Sequence, residues 1–91
     1  MYYVYVLLSE KDDQFYIGFT KDLKTRLAEH NKGYVKSTKE RKPFKLIYYE
    51  ASFDQEDALR REKYLKSSWG KRYLKNRLRS FLSLSNRARR R

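Results

Sequence analysis

Tyr3, Tyr5 and Tyr16 stand near the start of the chain beside Gly18; Arg26 follows Tyr16 by ten residues, His30 follows four later, and Glu62 lies far downstream. Together these residue types suit phosphodiester chemistry. Hydrolysing such a bond needs an activated water, donors for charge on the non-bridging oxygens, and something to neutralise the leaving oxygen. A guanidinium grips phosphate as a two-pronged donor, and an imidazole titrating near neutrality suits proton transfer. A phenol, with an ordinary pKa of about 10, acts as a base only if nearby cations lower it. A carboxylate can hold a hard cation. The chain has no cysteine, no Gly-rich phosphate loop, no His/Cys zinc spacing and no Ser/His/Asp set. Those absences argue against thiolate, zinc and triad chemistry.

The elements that must position these groups follow from alternation. Aromatic and β-branched runs at Met1–Leu8 and Phe15–Phe19, separated by the polar turn Ser9–Gln14, read as a β-hairpin. Pairing Leu8 with Phe15 puts Tyr3, Tyr5, Leu7, Tyr16 and Gly18 on one face, and Val4, Val6, Phe15, Ile17 and Phe19 on the other. A slip of one residue would undo this arrangement. Tyrosine is also an ordinary strand residue, so packing alone would account for any single one. Gly18, lacking a side chain, would let a substrate or another backbone approach closely.

A helix is expected from Lys21 to Lys32, capped by Thr20, with Asp22 in its first turn and Gly33 past its end. At about 100° per residue, Arg26 and His30 fall within about 60° of Leu23, on the apolar, sheet-facing side. The alternative is an arginine at the edge of the stripe and a histidine satisfied by a backbone carbonyl. A second helix, Gln55 to Lys66, is capped by Asp54 and Asp57. Glu62 lies about 40° from Ala58, inside the apolar arc. A carboxylate there needs a cation, a hydrogen-bond network or a metal. A salt bridge to Arg26 or Arg61 and a bound metal are both open.

Between these helices, Gly33–Pro43 is a cationic loop in which Ser37 and Thr38 could touch phosphate, and Phe44–Phe53 reads as a strand apolar on both faces and covered by helices. Trp69 and Gly70 mark a break before a third helix, Lys71 to Leu82, whose outer face carries Lys71, Arg72, Lys75, Arg77 and Arg79. From Ser83 the chain is expected to be a disordered basic tail. The formal charge is +12, with ten Lys/Arg against six Asp/Glu in residues 1–45 and thirteen against five in residues 46–91. Such an excess suits a polyanion, most often nucleic acid. No apolar run approaches the roughly 20 residues of a spanning helix, and the N-terminus lacks a leader pattern. The expectation is a soluble cytoplasmic protein with no membrane partner.

Tyr3-Val4-Tyr5, Tyr16-Ile17-Gly18, Arg26, His30 and Glu62, in this order and spacing, resemble the GIY-YIG nuclease domain in its small stand-alone branch. The resemblance spans roughly residues 1–80. It implies an α+β (α/β) fold in which a three-stranded antiparallel sheet is flanked by helices, with the nuclease-like domain at residues 1–82 and the tail at 83–91. It also implies that Glu62 holds a single divalent metal, Mg²⁺ or Mn²⁺, that Arg26 clamps a non-bridging oxygen, and that Tyr16 positions the water or the phosphate. Tyr5 is the implied general base, with His30 its rival. Nucleic-acid contacts are expected from Gly18, Lys21, Ser37, Thr38, Arg61, Lys66, Lys71, Arg72, Lys75 and Asn76. Three positions depart from the family pattern. Tyr3 stands in place of the motif's first glycine, Phe19 in place of a lysine found in some branches, and Asn76 matches a later asparagine only loosely.

The resemblance implies a metal-dependent endonuclease acting on DNA, or on structured nucleic acid, with low sequence specificity. Repair, recombination and defence against foreign DNA all suit it. The alternatives are an inactive nucleic-acid-binding module on the same fold and a small structural component of a ribonucleoprotein.

Overall fold

The structure, a computed structural model, describes residues 1–89. It is built around strand β1 (Tyr2–Ser9), which pairs antiparallel with β2 (Phe15–Thr20) on one side and β3 (Phe44–Ser52) on the other. Leu8 faces Phe15, Leu7 faces Tyr16 and Tyr5 faces Gly18, as the alternation requires. Val4 through Ser9 are all buried because helices cover both faces of this central strand. Val4, Val6 and Ile17 pack with Ala58, Leu65 and Leu74 of helices α2 (Gln55–Lys66) and α3 (Ser68–Arg77). On the opposite face Tyr5, Leu7 and Phe44 pack with Tyr16, Leu46, and Leu23 and Leu27 of helix α1 (Leu23–Asn31). Each fully buried Val, Leu or Ile contributes about 1.5–3 kcal/mol, so the period-two pattern of β1 alone seeds both cores.

Several expectations need correction. The third strand is a half-exposed edge, with Tyr49 54% exposed, and is not covered on both faces. A register shift opposite Val6/Leu7 lets Ile47 and Tyr48 both pack against the α2/α3 side. The first helix begins at Leu23 and is capped by Asp22, whose carboxylate accepts from the Thr25 N–H at 3.1 Å. Thr20 instead accepts from the Asp22 N–H at 3.1 Å. A carboxylate is the stronger acceptor at the positive end of a helix.

The break expected at Trp69-Gly70 falls at Ser67, which ends α2 and caps α3 by accepting from the Gly70 N–H at 3.2 Å. Gly70 lies within α3 because its Cα abuts the backbone of Tyr64 and Leu65, where any Cβ would overlap. The helix expected from Lys71 to Leu82 is thereby divided: α3 ends at Arg77, and helix α4 (Arg79–Arg89) follows. Helix α4 also runs through the stretch where a disordered tail was expected, with Phe81 and Leu82 half-buried at its start; residues 90–91 of that tail lie outside the described residues. No described helix is long and apolar enough to cross a membrane.

Candidate active site

The α1-facing side of the sheet gathers the chemistry-bearing residues. Tyr5 points from β1 toward α1, which presents Arg26 and His30 one turn apart on its inner face. The Tyr5 hydroxyl lies 2.8 Å from His30 Nε2 and accepts from Arg26 Nε at 3.4 Å. Tyr16, next along the same face, sets its ring centroid 6.3 Å from Tyr5 and 5.0 Å from His30. Directly across from Tyr5, a Cβ on Gly18 would overlap the phenol. The room left by Gly18 is therefore filled by Tyr5 itself, and the expected approach of substrate at this glycine is corrected: the glycine is buried and seats the tyrosine.

His30 is fully buried, and its other nitrogen, Nδ1, lies 2.7 Å from the Thr38 hydroxyl oxygen. Thr38 is fully buried too, which corrects its expected contact with phosphate. A histidine enclosed by Tyr5, Tyr16 and Phe44 rings needs a partner for each nitrogen, and the loop turns Thr38 inward to supply one. The neighbouring Asn31 fastens α1 to β3, accepting from the Phe44 N–H at 2.6 Å and donating to its carbonyl at 3.1 Å.

Burial raises the Tyr5 pKa above its ordinary value; the hydrogen bond from Arg26 opposes this, while the fields of Tyr16 and Glu62 add to it. Arg26 thus acts on the phenol in the expected direction, and desolvation outweighs it. His30 is pushed down to about 4, first by burial and then by the Arg26 charge, with Glu29 opposing. Near neutral pH the pair rests as a neutral phenol against a neutral imidazole.

Glu62, on α2, is close enough for its charge to bear on Tyr5. Its side chain is 19% exposed, and Oε2 lies 3.1 Å from Lys66 Nζ. Neither expected arginine is its partner: Arg26 pairs with Glu29 at 3.1 Å, and Arg61 holds Glu50 through bonds of 2.8 and 3.0 Å. No three His, Cys, Asp or Glu side chains cluster among the described residues. A lone, partly exposed carboxylate fits a hard cation that keeps its waters and takes substrate oxygens, and does not fit a protein-only cage. The Lys66 ammonium, 55% exposed, is free to swing away.

Residues 1–78 match the family model described as the GIY-YIG catalytic domain. The chain belongs to the GIY-YIG family. It is 48% identical over 66 residues to a UPF0213 protein of Lacticaseibacillus paracasei, covering 71% of this chain and 73% of that relative. A UPF0213 protein of Pediococcus acidilactici is 41% identical over 82 residues, covering 82% of each chain. The solution NMR structure of the UPF0213 protein BH0048 from Bacillus halodurans superposes with a TM-score of 0.51 at 36% identity, covering 81% of this chain and 82% of that one.

On this GIY-YIG domain the expected nucleic-acid contacts do not form one patch. Lys21 and Arg26 line an open cleft with Phe19, Thr25 and Glu29, and Lys21 also lies over the Tyr2 ring at 5.4 Å. Lys71 and Lys75 line a different groove, against Asp13, Gln14 and Phe15 at the hairpin turn. Arg72 covers the exposed Trp69 ring at 5.0 Å, while Ser37 and Asn76 are exposed. Arg61 pairs with Glu50 and lies against the Tyr64 and Tyr73 rings, with a third of its side chain exposed. Sequence reasoning missed the role of Thr38. The signal was the buried position of His30, whose second nitrogen required an acceptor or donor from somewhere in the loop.

Proposed function

We propose that this GIY-YIG domain is a metal-dependent endonuclease that cleaves DNA, or structured nucleic acid, with low sequence specificity. The observation that carries this reading is the Tyr5 hydroxyl held between Arg26 Nε and His30 Nε2, with Arg26 also lining an open cleft that holds Lys21, Asp22 and Glu29. Arg26, at the cleft wall, grips a non-bridging phosphate oxygen, exchanging its pairing with Glu29 for the substrate. Tyr5 takes the proton of the attacking water, and Tyr16 orients the water or phosphate beside it. His30, whose Nε2 is taken up by the Tyr5 hydroxyl and whose Nδ1 is taken up by Thr38, serves the tyrosine and does not meet the water itself. Glu62 would hold one Mg²⁺ or Mn²⁺, which when bound supplies positive charge against the phosphate and the leaving 3′-oxygen. With a formal charge of +12 and one small domain, affinity comes from backbone phosphates, and selection by shape of a flap, branch or single strand exceeds base reading.

Labelled duplex, single strand, flap, branched junction and RNA are incubated with Mg²⁺, Mn²⁺ or EDTA. Metal-dependent strand cutting is expected, fastest on a DNA substrate. Binding to all of them with no cutting under either metal would refute the nuclease reading in favour of a binding module.

A further inference from the structure

The hydrogen bonds around His30 fix which nitrogen carries its proton. The Tyr5 oxygen accepts from Arg26 Nε, a group that can only donate. The phenol O–H then needs an acceptor, and the remaining side-chain partner within reach is His30 Nε2 at 2.8 Å. Nε2 must therefore be bare and Nδ1 protonated. The other end of the ring gives the same answer independently. Thr38 Oγ1 lies 3.5 Å from the Val35 carbonyl, which can only accept, so the hydroxyl proton points there and its lone pair receives His30 Nδ1–H at 2.7 Å. The direction of donation runs from Arg26 to Tyr5, His30, Thr38 and the Val35 carbonyl.

We propose that Thr38 is a positioning residue: it locks His30 in the Nδ1–H form, so that the bare Nε2 is the store for the proton that Tyr5 must lose when it acts as base. This rests on the nuclease reading for its catalytic consequence, though not for the tautomer. The attacking water's oxygen bonds to phosphorus as its proton passes to the Tyr5 oxygen and the original phenol proton passes to His30 Nε2. The bond from phosphorus to the 3′-oxygen breaks, and that oxygen leaves with the electron pair and takes a proton from solvent. His30, briefly protonated on both nitrogens, returns its proton through Tyr5 to solvent, so no proton is gained or lost. A raised phenol pKa is compatible with this, because Tyr5 never stands as a free phenolate.

The test is direct because the chain contains one histidine. Long-range ¹H–¹⁵N correlation spectra of the imidazole distinguish a protonated Nδ1 from a protonated Nε2 in the intact protein. The wild type and Thr38→Ser are expected to show bare Nε2, and Thr38→Val to shift toward the Nε2–H form. Cleavage is expected to fall about 10–100-fold in Thr38→Val and to return in Thr38→Ser. A wild type carrying its proton on Nε2 overturns the proposal whether or not any variant folds, and so does a folded Thr38→Val with an unchanged tautomer. The expected tautomers in a protein that cuts nothing would uphold the assignment of Thr38 and refute the nuclease reading instead.

Discussion

Replacing Gly18 with alanine should unseat Tyr5. A Cβ at this position would overlap the Tyr5 hydroxyl and Cζ and come within 2.9 Å of Cε1. The ring cannot retreat: Tyr5 is 2% exposed, the Tyr16 and His30 rings stand beside it, and its hydroxyl is tied to His30. Gly18 does not have a positive φ, so alanine is acceptable to the backbone and the whole penalty comes from overlap. Overpacking of this kind costs about 1–3 kcal/mol. If the phenol swings aside instead, His30 Nε2 loses its partner, at about 1–3 kcal/mol. The expected loss is thus about 1–3 kcal/mol by either route, and in a domain of this size each kcal/mol lowers Tm by about 4–8 °C. Urea and thermal unfolding followed by circular dichroism measure it, with Tyr5→Ala and the double variant completing a cycle. The penalty of Gly18→Ala should largely vanish in the Tyr5→Ala background. A Gly18→Ala protein within about 0.5 kcal/mol of the wild type would refute the seating argument, since that is the size of an ordinary surface substitution.

Other perturbations follow from the same contacts. Arg26→Lys keeps a positive charge but loses the forked donor and the Nε contact to Tyr5; cleavage should fall by about 10²-fold or more while the unfolding midpoint changes little. Removing the α2 cap with Asp54→Ala, which frees the N–H groups of Glu56 and Asp57, should cost about 1 kcal/mol in urea unfolding without changing cleavage at saturating substrate. His30 is held neutral, its pKa lowered from 6.5 to about 4, so the folded state binds fewer protons than the unfolded chain in that interval. Its contribution is fully present above about pH 6.5 and is lost as pH falls through about 4, and His30→Asn should flatten the decline in stability across that window. Asp12, held down to about 2 chiefly by the Arg41 guanidinium, contributes stability that is present above its ordinary value of 3.8 and lost toward pH 2. Asp12→Asn should remove that acid-limb dependence from the urea midpoint.

The sheet and the heart of the site were legible because both follow from local periodicity. Strict alternation in β1 and β2 fixes which face each tyrosine takes, and the four-residue spacing of Arg26 and His30 puts them under the same face. The helix boundaries beyond Lys66 were less legible. Ser67, an ordinary serine in sequence, is a cap only because α3 folds back on α2, and Gly70 signals close packing there and not a turn. Phe44–Ser52 looked doubly covered because its apolar residues are dense, but the register shift gathers Ile47 and Tyr48 onto one side and leaves an edge. Thr38 was hidden for a different reason: nothing local distinguishes a loop threonine facing solvent from one turned inward to an imidazole eight residues earlier. Partner choice among the charges was equally non-local, since Glu50 captures Arg61 and leaves Glu62 to Lys66.

If Glu62 serves chemistry and not architecture, cleavage and binding of one labelled DNA, measured in parallel for the wild type and Glu62→Gln, should separate. The substitution keeps the side chain's size and removes its charge beside a half-exposed lysine. Strand cutting in Mg²⁺ should disappear while affinity measured in EDTA stays within about threefold, because affinity is expected to come from the chain's excess of Lys and Arg and not from Glu62. Cutting that survives in Glu62→Gln would contradict the account, as would a wild type that binds the DNA and leaves it intact.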